Sequence, residues 1–401
     1  GNALVWEFNG TSWKVVGGQG IKGSWAAETY ENVFTLQSYK GDLYAGLGST
    51  ANEAEVWKYN GTSWTQVGGD SLNSGWTTNF EAVNVLAVWG GDLYAGLGTS
   101  SQDGEVWRYN GSSWTRVGGD GVNSGWSVAN NIESVLSMTL YKGNLYAGLG
   151  SSSGDADVWR FNGTTWTQVG GDGLGSSWST TYEEVYIMRV YADQLVVGLG
   201  NSTDDGEVWT YNGTTWTRIG GDDVNGSWTS GTYEKIRSMA IYNGKLYVGI
   251  GDTAGDGEVW EWNGISWTQV GGDGLNSGWN NTIEWIGSLI DYRGKLYAGT
   301  GFSANADAAM YSYGNNAFIS STQNSQDTSW HHIAATYNGS TMKLHVDGVE
   351  DASTPASLTI PDTTSPLLIG STYGSGGRGE TQGYFNGLLD EIRISNTART
   401  N

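Results

Sequence analysis

The chain has 401 residues, with 41 Asp and Glu against 19 Lys and Arg and a formal net charge of −22. Such a surface repels nucleic-acid phosphates and anionic lipid head groups, and no run of about 18 apolar residues is available to span a bilayer, so neither nucleic acid nor membrane insertion is expected. The absence of Cys excludes a disulfide framework and thiol chemistry.

A unit of about 51 residues repeats along residues 1–313. Its first marker is a Trp that follows Val. These residues are Trp6, Trp57, Trp107, Trp159, Trp209 and Trp260. A weaker seventh copy places Tyr311 at the same position. Repetition at this period is typical of folds in which one supersecondary unit stacks on the next.

Each unit contains four segments with the composition of β-strands. In the fifth unit they are 235–242, 245–251, 257–263 and 266–272. Asn-Gly joins the first segment to the second and the third to the fourth, which predicts two-residue hairpins of type I′. The connections from strand two to strand three, and from strand four to the next unit, are longer.

A four-stranded meander at this period predicts an all-β fold, with a six-bladed β-propeller of four-stranded blades over residues 1–313. The chain starts with strands three and four of a blade, so we expect this hairpin to complete the last blade and close the ring. A surplus strand at 308–313 would compete with residues 4–8 for the same place.

Beyond Tyr313 the period stops, and the motifs WHHIA, YNGSTMKLHVDG, PLLIGS and FNGLLDEIRIS follow in order. Together they resemble the second half of a laminin-G-like, concanavalin A-like jelly roll. The resemblance implies a partial β-sandwich over residues 314–401, an extracellular setting, and adhesion to glycans or proteins. The front half of that domain has no counterpart in this segment, so no ligand residues are carried over. The repeats resemble Trp-rich lectin propellers and kelch-like propellers more loosely.

The longer connections lie together on one face of the predicted propeller, which we call the loop face, and a third Trp of each unit lies there. These residues are Trp25, Trp76, Trp126, Trp178, Trp228 and Trp279. Exposed, they would form a ring of platforms on which sugars stack. Buried, they would fill the seams between blades, and the large area that a Trp buries favours this second interpretation.

A Glu follows each of these Trp near the start of the innermost strand. The candidates are Glu31, Glu81, Glu133, Glu184 or the adjacent Glu183, Glu234 and Glu284. Six carboxylates around a channel mouth would bind a cation or sugar hydroxyls. Alternatively, each would accept hydrogen bonds from backbone N–H groups of the adjacent blade. The sequence leaves both interpretations open.

Further acids lie in the connection between strands two and three. Asp103, Asp155, Asp205 and Asp256 are the candidate metal ligands, and Ca²⁺ is the cation that such hard oxygen ligands suit. No loop has the twelve-residue calcium pattern, so a solvated acidic face is the favoured interpretation, and no other cofactor is indicated. Sequons at Asn9, Asn60, Asn110, Asn162 and Asn212 are explained by turn chemistry without glycans.

No nucleophile elbow, P-loop or HExxH motif is present, so no catalytic residue and no enzymatic activity is expected. A glycosidase would be marked by one loop that departs from the repeat. Repeated aromatic and acidic positions instead favour multivalent glycan binding by an adhesion or recognition protein outside the cell or on a cell or virion surface. The alternative is a structural subunit of a surface layer, filament or virion fibre that binds other protein chains or copies of itself.

Overall fold

The computed structural model describes residues 3–8, 12–26, 32–48, 53–77, 79–100, 103–127, 132–202, 205–229, 233–253, 255–279, 282–292, 294–301, 309–314, 329–355, 371–372, 383–384, 390 and 392. Within these residues the regular structure consists of β-strands and three-residue 3₁₀ turns. None of the helical turns found there has the length or apolar character needed to cross a membrane.

Thirty strands lie in these residues. In chain order they are β1 (Val5–Phe8), β2 (Trp13–Gly17), β3 (Asn32–Tyr39), β4 (Asp42–Gly48), β5 (Val56–Tyr59), β6 (Trp64–Gly68), β7 (Val83–Trp89), β8 (Asp92–Leu97), β9 (Val106–Tyr109), β10 (Trp114–Gly118), β11 (Val135–Tyr141), β12 (Asn144–Leu149), β13 (Val158–Phe161), β14 (Trp166–Gly170), β15 (Val185–Tyr191), β16 (Gln194–Leu199), β17 (Val208–Tyr211), β18 (Trp216–Gly220), β19 (Ile236–Tyr242), β20 (Lys245–Ile250), β21 (Glu258–Trp262), β22 (Trp267–Gly271), β23 (Trp285–Tyr292), β24 (Lys295–Gly301), β25 (Met310–Tyr313), β26 (Ile333–Tyr337), β27 (Thr341–Val346), β28 (Val349–Pro355), β29 (Ser371–Thr372) and β30 (Gly383–Tyr384).

Six of the sheets belong to the repeat. Five of them have four strands in chain order, namely β3–β6, β7–β10, β11–β14, β15–β18 and β19–β22, and the sixth has three, β23–β25. The hairpin β1–β2 precedes them, while β26–β28 and β29–β30 form two further sheets. All the pairings are antiparallel between chain neighbours. The predicted all-β propeller with six repeated blades is confirmed, with five blades complete and the sixth three-stranded.

The core lies in the seams between successive sheets. Strand β12 shows why, because five of its six residues are buried and both of its faces are therefore covered. The innermost strands contact one another in order from β3 to β23. In one seam Ala87 of β7 belongs to the same core cluster as Met138 of β11. Each seam is thus formed by the forward face of one sheet and the backward face of the next.

The expected closure of the ring is wrong. Strand β24 pairs with β25, from Gly299 opposite Met310 to Leu296 opposite Tyr313. The surplus strand therefore takes the place that we expected residues 4–8 to fill. In the described residues β1 pairs with β2 alone, and this hairpin packs on the first complete sheet, where Val5 and Trp64 share a core cluster.

The two hairpins of each blade use different turns. Between strands one and two, Asn243 and Gly244 both have positive φ, as the type I′ prediction requires. Between strands three and four the prediction is wrong. In the fifth unit only Gly264 has positive φ, and the side-chain oxygen of Asn263 accepts hydrogen bonds from the backbone N–H groups of Ile265 and Ser266, both at 2.9 Å. This is an Asx turn, which fixes a four-residue loop through the side chain.

Candidate functional site

The loop face is held together by backbone hydrogen bonds between its connections. The N–H of Gly98, at the end of β8, donates to the carbonyl of Ala82, just before β7. The N–H of Gly104 donates to the carbonyl of Ile132, just before the innermost strand of the next sheet. The acids of the connection between strands two and three are therefore held close to the Glu that precedes the innermost strand.

The six loop Trp lie in the seams, where they are only 1–6% exposed. Trp126 represents the set. Its indole N–H donates to the carbonyl oxygen of Gly104 at 2.5 Å, and its ring meets Trp159 and Trp166 of the next sheet edge to face, at 5.7 and 5.4 Å between centroids. The same bond, to the carbonyl 22 residues earlier, is made by Trp25, Trp76, Trp178, Trp228 and Trp279.

The interpretation of these Trp as sugar platforms is therefore wrong. An exposed stacking platform needs a free ring face, whereas these rings are covered by the aromatic side chains of the neighbouring sheet. Burial of one indole removes on the order of 200 Å² from water, with an upper bound of about 5 kcal/mol. The loop Trp stabilise the seams, as the alternative interpretation held.

Three of the predicted Glu accept hydrogen bonds from hydroxyl groups in the connection between strands two and three of their own sheet. Glu81 accepts from Thr99 at 3.0 Å and from Ser100 at 2.7 Å. Glu133 accepts from Ser152 at 2.8 Å. These hydroxyl partners were anticipated by neither sequence interpretation, and they show that the Glu and the neighbouring loop form one polar site in each of these three blades.

Glu183, and not Glu184, is the equivalent residue of the fourth blade. Isolated bridges join Gly48 to Ala82 and Gly150 to Glu184, so Glu184 corresponds to the residue after Glu81. Glu183 accepts a hydrogen bond from Ser202 at 2.7 Å, as the others do from their loops. Glu184 instead forms an ion pair with Lys235 at 2.8 Å, and both side chains are buried.

The remaining Glu of the predicted ring have different surroundings. Glu31 lies outside the described residues. Glu234 is half-buried, directly before Lys235. Glu284 is buried, and its backbone N–H donates to the carbonyl of Gly301 at 3.2 Å. The clearest equivalent sites are therefore those of the second, third and fourth blades.

In two of these blades the Glu is paired with an Asp from the connection between strands two and three. Burial, followed by a hydrogen bond to Glu81 and the charge of that residue, raises the pKa of Asp103 to about 7. The same causes, with Glu133 as the partner, raise the pKa of Asp155 to about 8. Two carboxyl groups in hydrogen-bond contact do not both ionise readily, and this is why Asp103 and Asp155 keep their protons to a higher pH than a solvent-exposed Asp does.

The other two candidate metal ligands have simpler surroundings. Asp256 accepts a hydrogen bond from the Thr253 hydroxyl at 2.6 Å, and burial raises its pKa. The backbone N–H of Asp205 donates to the carbonyl of Ser202 at 3.1 Å. Across the parts of the chain that are described, no three His, Cys, Asp or Glu come together in a way that could hold a metal ion. Calcium binding by Asp103, Asp155, Asp205 and Asp256 stays a prediction.

A second set of acids, at the start of strand three, is buried in the structure and was not singled out in the sequence analysis. Glu105 is the clearest case, since it accepts hydrogen bonds from the indole of Trp107 at 2.6 Å and from Arg116 at 2.5 Å. Its equivalents are Glu55, Asp157, Glu207 and Glu258. Burial raises the pKa of Asp157 to about 7. The missed signal is the spacing, with the acid two residues before the Trp of strand three and eleven before the Arg or Gln of strand four.

The three His lie away from these sites, in or next to the sheet β26–β28. The Nδ1 atom of His331 lies 2.8 Å from a carboxylate oxygen of Asp347. This hydrogen bond, with another from the backbone N–H of His332, lowers the pKa of Asp347. The pair is exposed on the surface and has no equivalent in the repeats.

The C-terminal part of the chain is similar to a known family. Residues 277–401 match the laminin G model described as the Concanavalin A-like lectin/glucanases superfamily. This confirms the resemblance seen in the sequence motifs. The match begins upstream of β23 and so includes the sixth repeat sheet. The boundary at 313/314 between the two predicted domains stays a prediction. Among curated proteins none matches this sequence.

Several solved structures are similar to the chain at low identity. PorZ, an essential bacterial surface component of the type-IX secretion system of Porphyromonas gingivalis, is 15% identical, with 81% of this chain and 46% of that chain covered and a TM-score of 0.47. A GH74 xyloglucanase from Xanthomonas campestris is 13% identical, with 78% and 50% covered and a TM-score of 0.45. A Trypanosoma rangeli sialidase is 13% identical, with 76% and 56% covered and a TM-score of 0.45. The chain thus spans about half the length of these proteins.

Proposed function

We propose that this protein is an adhesion or recognition protein, acting outside the cell or on a cell or virion surface, that binds glycans weakly at several equivalent sites on its loop face. The observation that carries the proposal is the repeated polar site of the second, third and fourth blades. In each, Glu81, Glu133 or Glu183 accepts hydrogen bonds from a loop hydroxyl. The ligand groups are thus carboxyl and hydroxyl groups instead of the loop Trp.

The chemistry of these sites suits sugar hydroxyls. A protonated Asp155 beside Glu133 offers both a hydrogen-bond donor and several acceptors, and a sugar with adjacent hydroxyls matches both. The net charge of −22 opposes sulfated, sialylated or phosphorylated ligands. Uncharged glycans are therefore the proposed class.

Affinity would come from the number of sites. One shallow polar site that binds with a Kd of about 1 mM contributes about 4 kcal/mol. Engagement of several linked sites by one polymeric ligand raises the overall affinity by about 10²–10⁴-fold without any new kind of contact. The regular spacing of the blades suits a ligand that itself repeats.

We propose binding without catalysis. The acids recur at equivalent positions, whereas a catalytic site would be expected in one blade only. The clearest departure from the repeat is Arg189 of β15, which faces Val196 where the second, third and fifth sheets have a Tyr opposite the same position. Arg189 is fully buried in a seam, away from the loop acids. Its position supports a packing role.

The test is a glycan array probed with the intact chain, followed by a variant that carries Glu81→Gln, Glu133→Gln and Glu183→Gln. The charge-matched control carries Glu7→Gln, Glu350→Gln and Asp390→Asn, all at exposed positions. We expect binding to uncharged glycans, its loss in the first variant and its retention in the control. No binding to any glycan by the intact chain, with and without Ca²⁺, would contradict the proposal.

A second candidate is a structural subunit that binds protein chains. The observation that favours it lies in the sixth repeat sheet, where Ile290 of β23 is 38% exposed although the residues at its position in the five preceding sheets are buried. This feature is independent of the loop face.

A further inference from the structure

The polar site of the third blade contains a buried carboxylate oxygen that lacks an ordinary hydrogen-bond donor. Glu133 is 9% exposed, and Asp155, which contacts it, is 8% exposed. Oε1 of Glu133 accepts from the Ser152 hydroxyl at 2.8 Å. Oε2 is also buried, and within the described residues it accepts no hydrogen bond from an N–H group or an alcohol. Such an oxygen is costly unless a proton or a cation lies between it and the neighbouring carboxyl group.

The third blade lacks a positive charge that the second blade has at the equivalent position. In the second blade, Arg116 of β10 donates to Glu105 at 2.5 Å and to Asp120 at 2.7 Å. In the third blade Gln168 of β14 takes the place of Arg116. Gln168 donates to Asp157, the equivalent of Glu105, at 2.7 Å but carries no charge. The loop acids of the third blade are therefore not compensated from this position.

The acids of the third blade act on this site together. Burial and the contact with Glu133, followed by the charge of Asp157, raise the pKa of Asp155. Burial and then the charge of Asp172 raise the pKa of Asp157. Negative charges held this close repel one another, and a cation bound among them relieves the repulsion. The third blade is therefore the part of the loop face where a cation gains most.

We propose that the third blade binds one Ca²⁺ ion between the carboxyl groups of Glu133 and Asp155, with the hydroxyl oxygen of Ser152 as a further ligand. The Ser152 hydroxyl contacts Glu133, and the Ser152 backbone N–H donates to Asp155 at 3.3 Å, so this residue touches both carboxyl groups. Ser152 is exposed, which gives the ion access from solvent and leaves positions for water. Hydroxyl and water oxygens complete the coordination that two carboxyl groups begin, so no third acid is required.

The donor set favours Ca²⁺ over Mg²⁺. Ca²⁺ accepts about six to eight oxygen ligands in irregular arrangements, whereas Mg²⁺ needs near-ideal octahedral geometry and gives up water reluctantly. With two carboxyl groups and an exposed edge, the site should bind Ca²⁺ with a Kd of about 10⁻⁴–10⁻³ M, the range of extracellular calcium modules. Of the four sequence candidates for metal binding, the site retains Asp155 and adds Glu133 and Ser152. This inference goes beyond the proposed function, since the ion binds without any glycan.

The first test compares the melting temperature of the metal-free chain in CaCl₂ and in MgCl₂ at the same concentration, without glycan. The MgCl₂ sample corrects for general screening of the charge of −22. We expect about 10 mM CaCl₂ to raise the melting temperature by about 2–5 °C more than MgCl₂ does, because the ion binds only the folded chain. Asp155→Asn should abolish this difference, and Asp223→Asn, at an exposed position, should retain it. Equal effects of the two salts on the unmodified chain would overturn the proposal.

A second variant keeps all three ligands in place. Gln168→Arg introduces the guanidinium that Arg116 supplies in the second blade, and its charge should weaken Ca²⁺ binding several-fold. Terbium luminescence sensitised by Trp and displaced by CaCl₂ measures this affinity, and Arg116→Gln, the reverse change, should not lower it. An affinity that Gln168→Arg leaves unchanged, or Ca²⁺ binding that Asp155→Asn retains, would overturn the proposal. Neither measurement involves a glycan, so failure of the proposed glycan binding would leave this result intact.

Discussion

The indole N–H of Trp126 donates a hydrogen bond to the carbonyl oxygen of Gly104, 22 residues earlier in the chain, at a distance of 2.5 Å. The backbone N–H of Gly104 in turn donates to the carbonyl oxygen of Ile132, just before the first strand of the next sheet. This one contact joins the end of a blade to its own loop face and to the following blade. The loop Trp therefore hold in place the loop face on which the acidic sites lie.

Removal of this indole should destabilise the protein strongly. Trp126→Ala is expected to lower the free energy of unfolding by about 3–5 kcal/mol, because it removes a buried aromatic side chain and leaves a cavity. Trp126→Phe keeps a ring but leaves the carbonyl of Gly104 without its donor, at a cost of about 1–3 kcal/mol. Denaturant unfolding followed by circular dichroism measures both. Ile265→Ala, at an exposed position, should change stability by less than about 0.5 kcal/mol. Equal losses of stability at Trp126 and Ile265 would contradict the role of Trp126 in stabilising the seam.

The Gly at the end of strand four should tolerate no side chain. A Cβ on Gly68 would lie 2.9 Å from the indole nitrogen of Trp114 and 3.0 Å from the ring of Trp76. Gly68→Ala is therefore expected to cost about 1–3 kcal/mol through overpacking of the seam. Gly287→Ala is the matched control, because its nearest neighbour would lie at 3.5 Å, an ordinary contact. Thermal unfolding of the two variants gives the comparison, and a wild-type melting temperature for Gly68→Ala would contradict the packing described.

The carboxyl pairs should make stability depend on pH. The pKa of Asp155 is raised from 3.8 to about 8, so the native state holds a proton that the unfolded state has released. The contribution of Asp155 to the free energy of unfolding is complete below the unfolded pKa of 3.8 and declines as the pH rises from there to about 8. We expect the melting temperature to fall between pH 4 and pH 8, and Asp155→Asn to reduce the slope. Asp223→Asn, at an exposed position, should retain the wild-type slope. A melting temperature that rises with pH in both proteins would contradict the assignment.

The Asn of the sequons should have a measurable role in the turn. The Asn60 side-chain oxygen accepts hydrogen bonds from the backbone N–H groups of Thr62 and Ser63, both at 2.9 Å. Asn60→Asp keeps this acceptor and should stay within about 0.5 kcal/mol of wild type. Asn60→Ala removes it and should cost about 1 kcal/mol. Denaturant midpoints of the two variants, neither of which retains the sequon, separate turn chemistry from glycosylation. Equal losses in both would contradict the turn role.

Much of the repeat could be predicted from the sequence, because period-two patterns and Asn-Gly turns are local signals. The segment 235–242 of the fifth unit corresponds to the strand Ile236–Tyr242, for example. The competition between β1 and β25 for one position could not be resolved, since both segments carry the same local pattern. Only the tertiary pairing of β24 distinguishes them.

The candidate site was only partly predictable. That the loop Trp would be buried follows from their size, but their partners lie in the next repeat and have no local signal. One backbone bridge decides that Glu183, and not Glu184, is the equivalent of Glu81 and Glu133, and repeat spacing alone does not determine this bridge. The pairing of Asp155 with Glu133 required the fold, because 22 residues separate them in the chain.

The central claim is that the loop face carries several equivalent binding sites, and the stoichiometry of ligand binding tests it most directly. Calorimetric titration with a short uncharged oligosaccharide selected on the array should give more than one site per chain. Glu81→Gln, Glu133→Gln and Glu183→Gln, made one at a time, should each reduce that number by about one while the remaining sites keep their affinity. A single site per chain, or a stoichiometry that none of the three substitutions changes, would contradict the account.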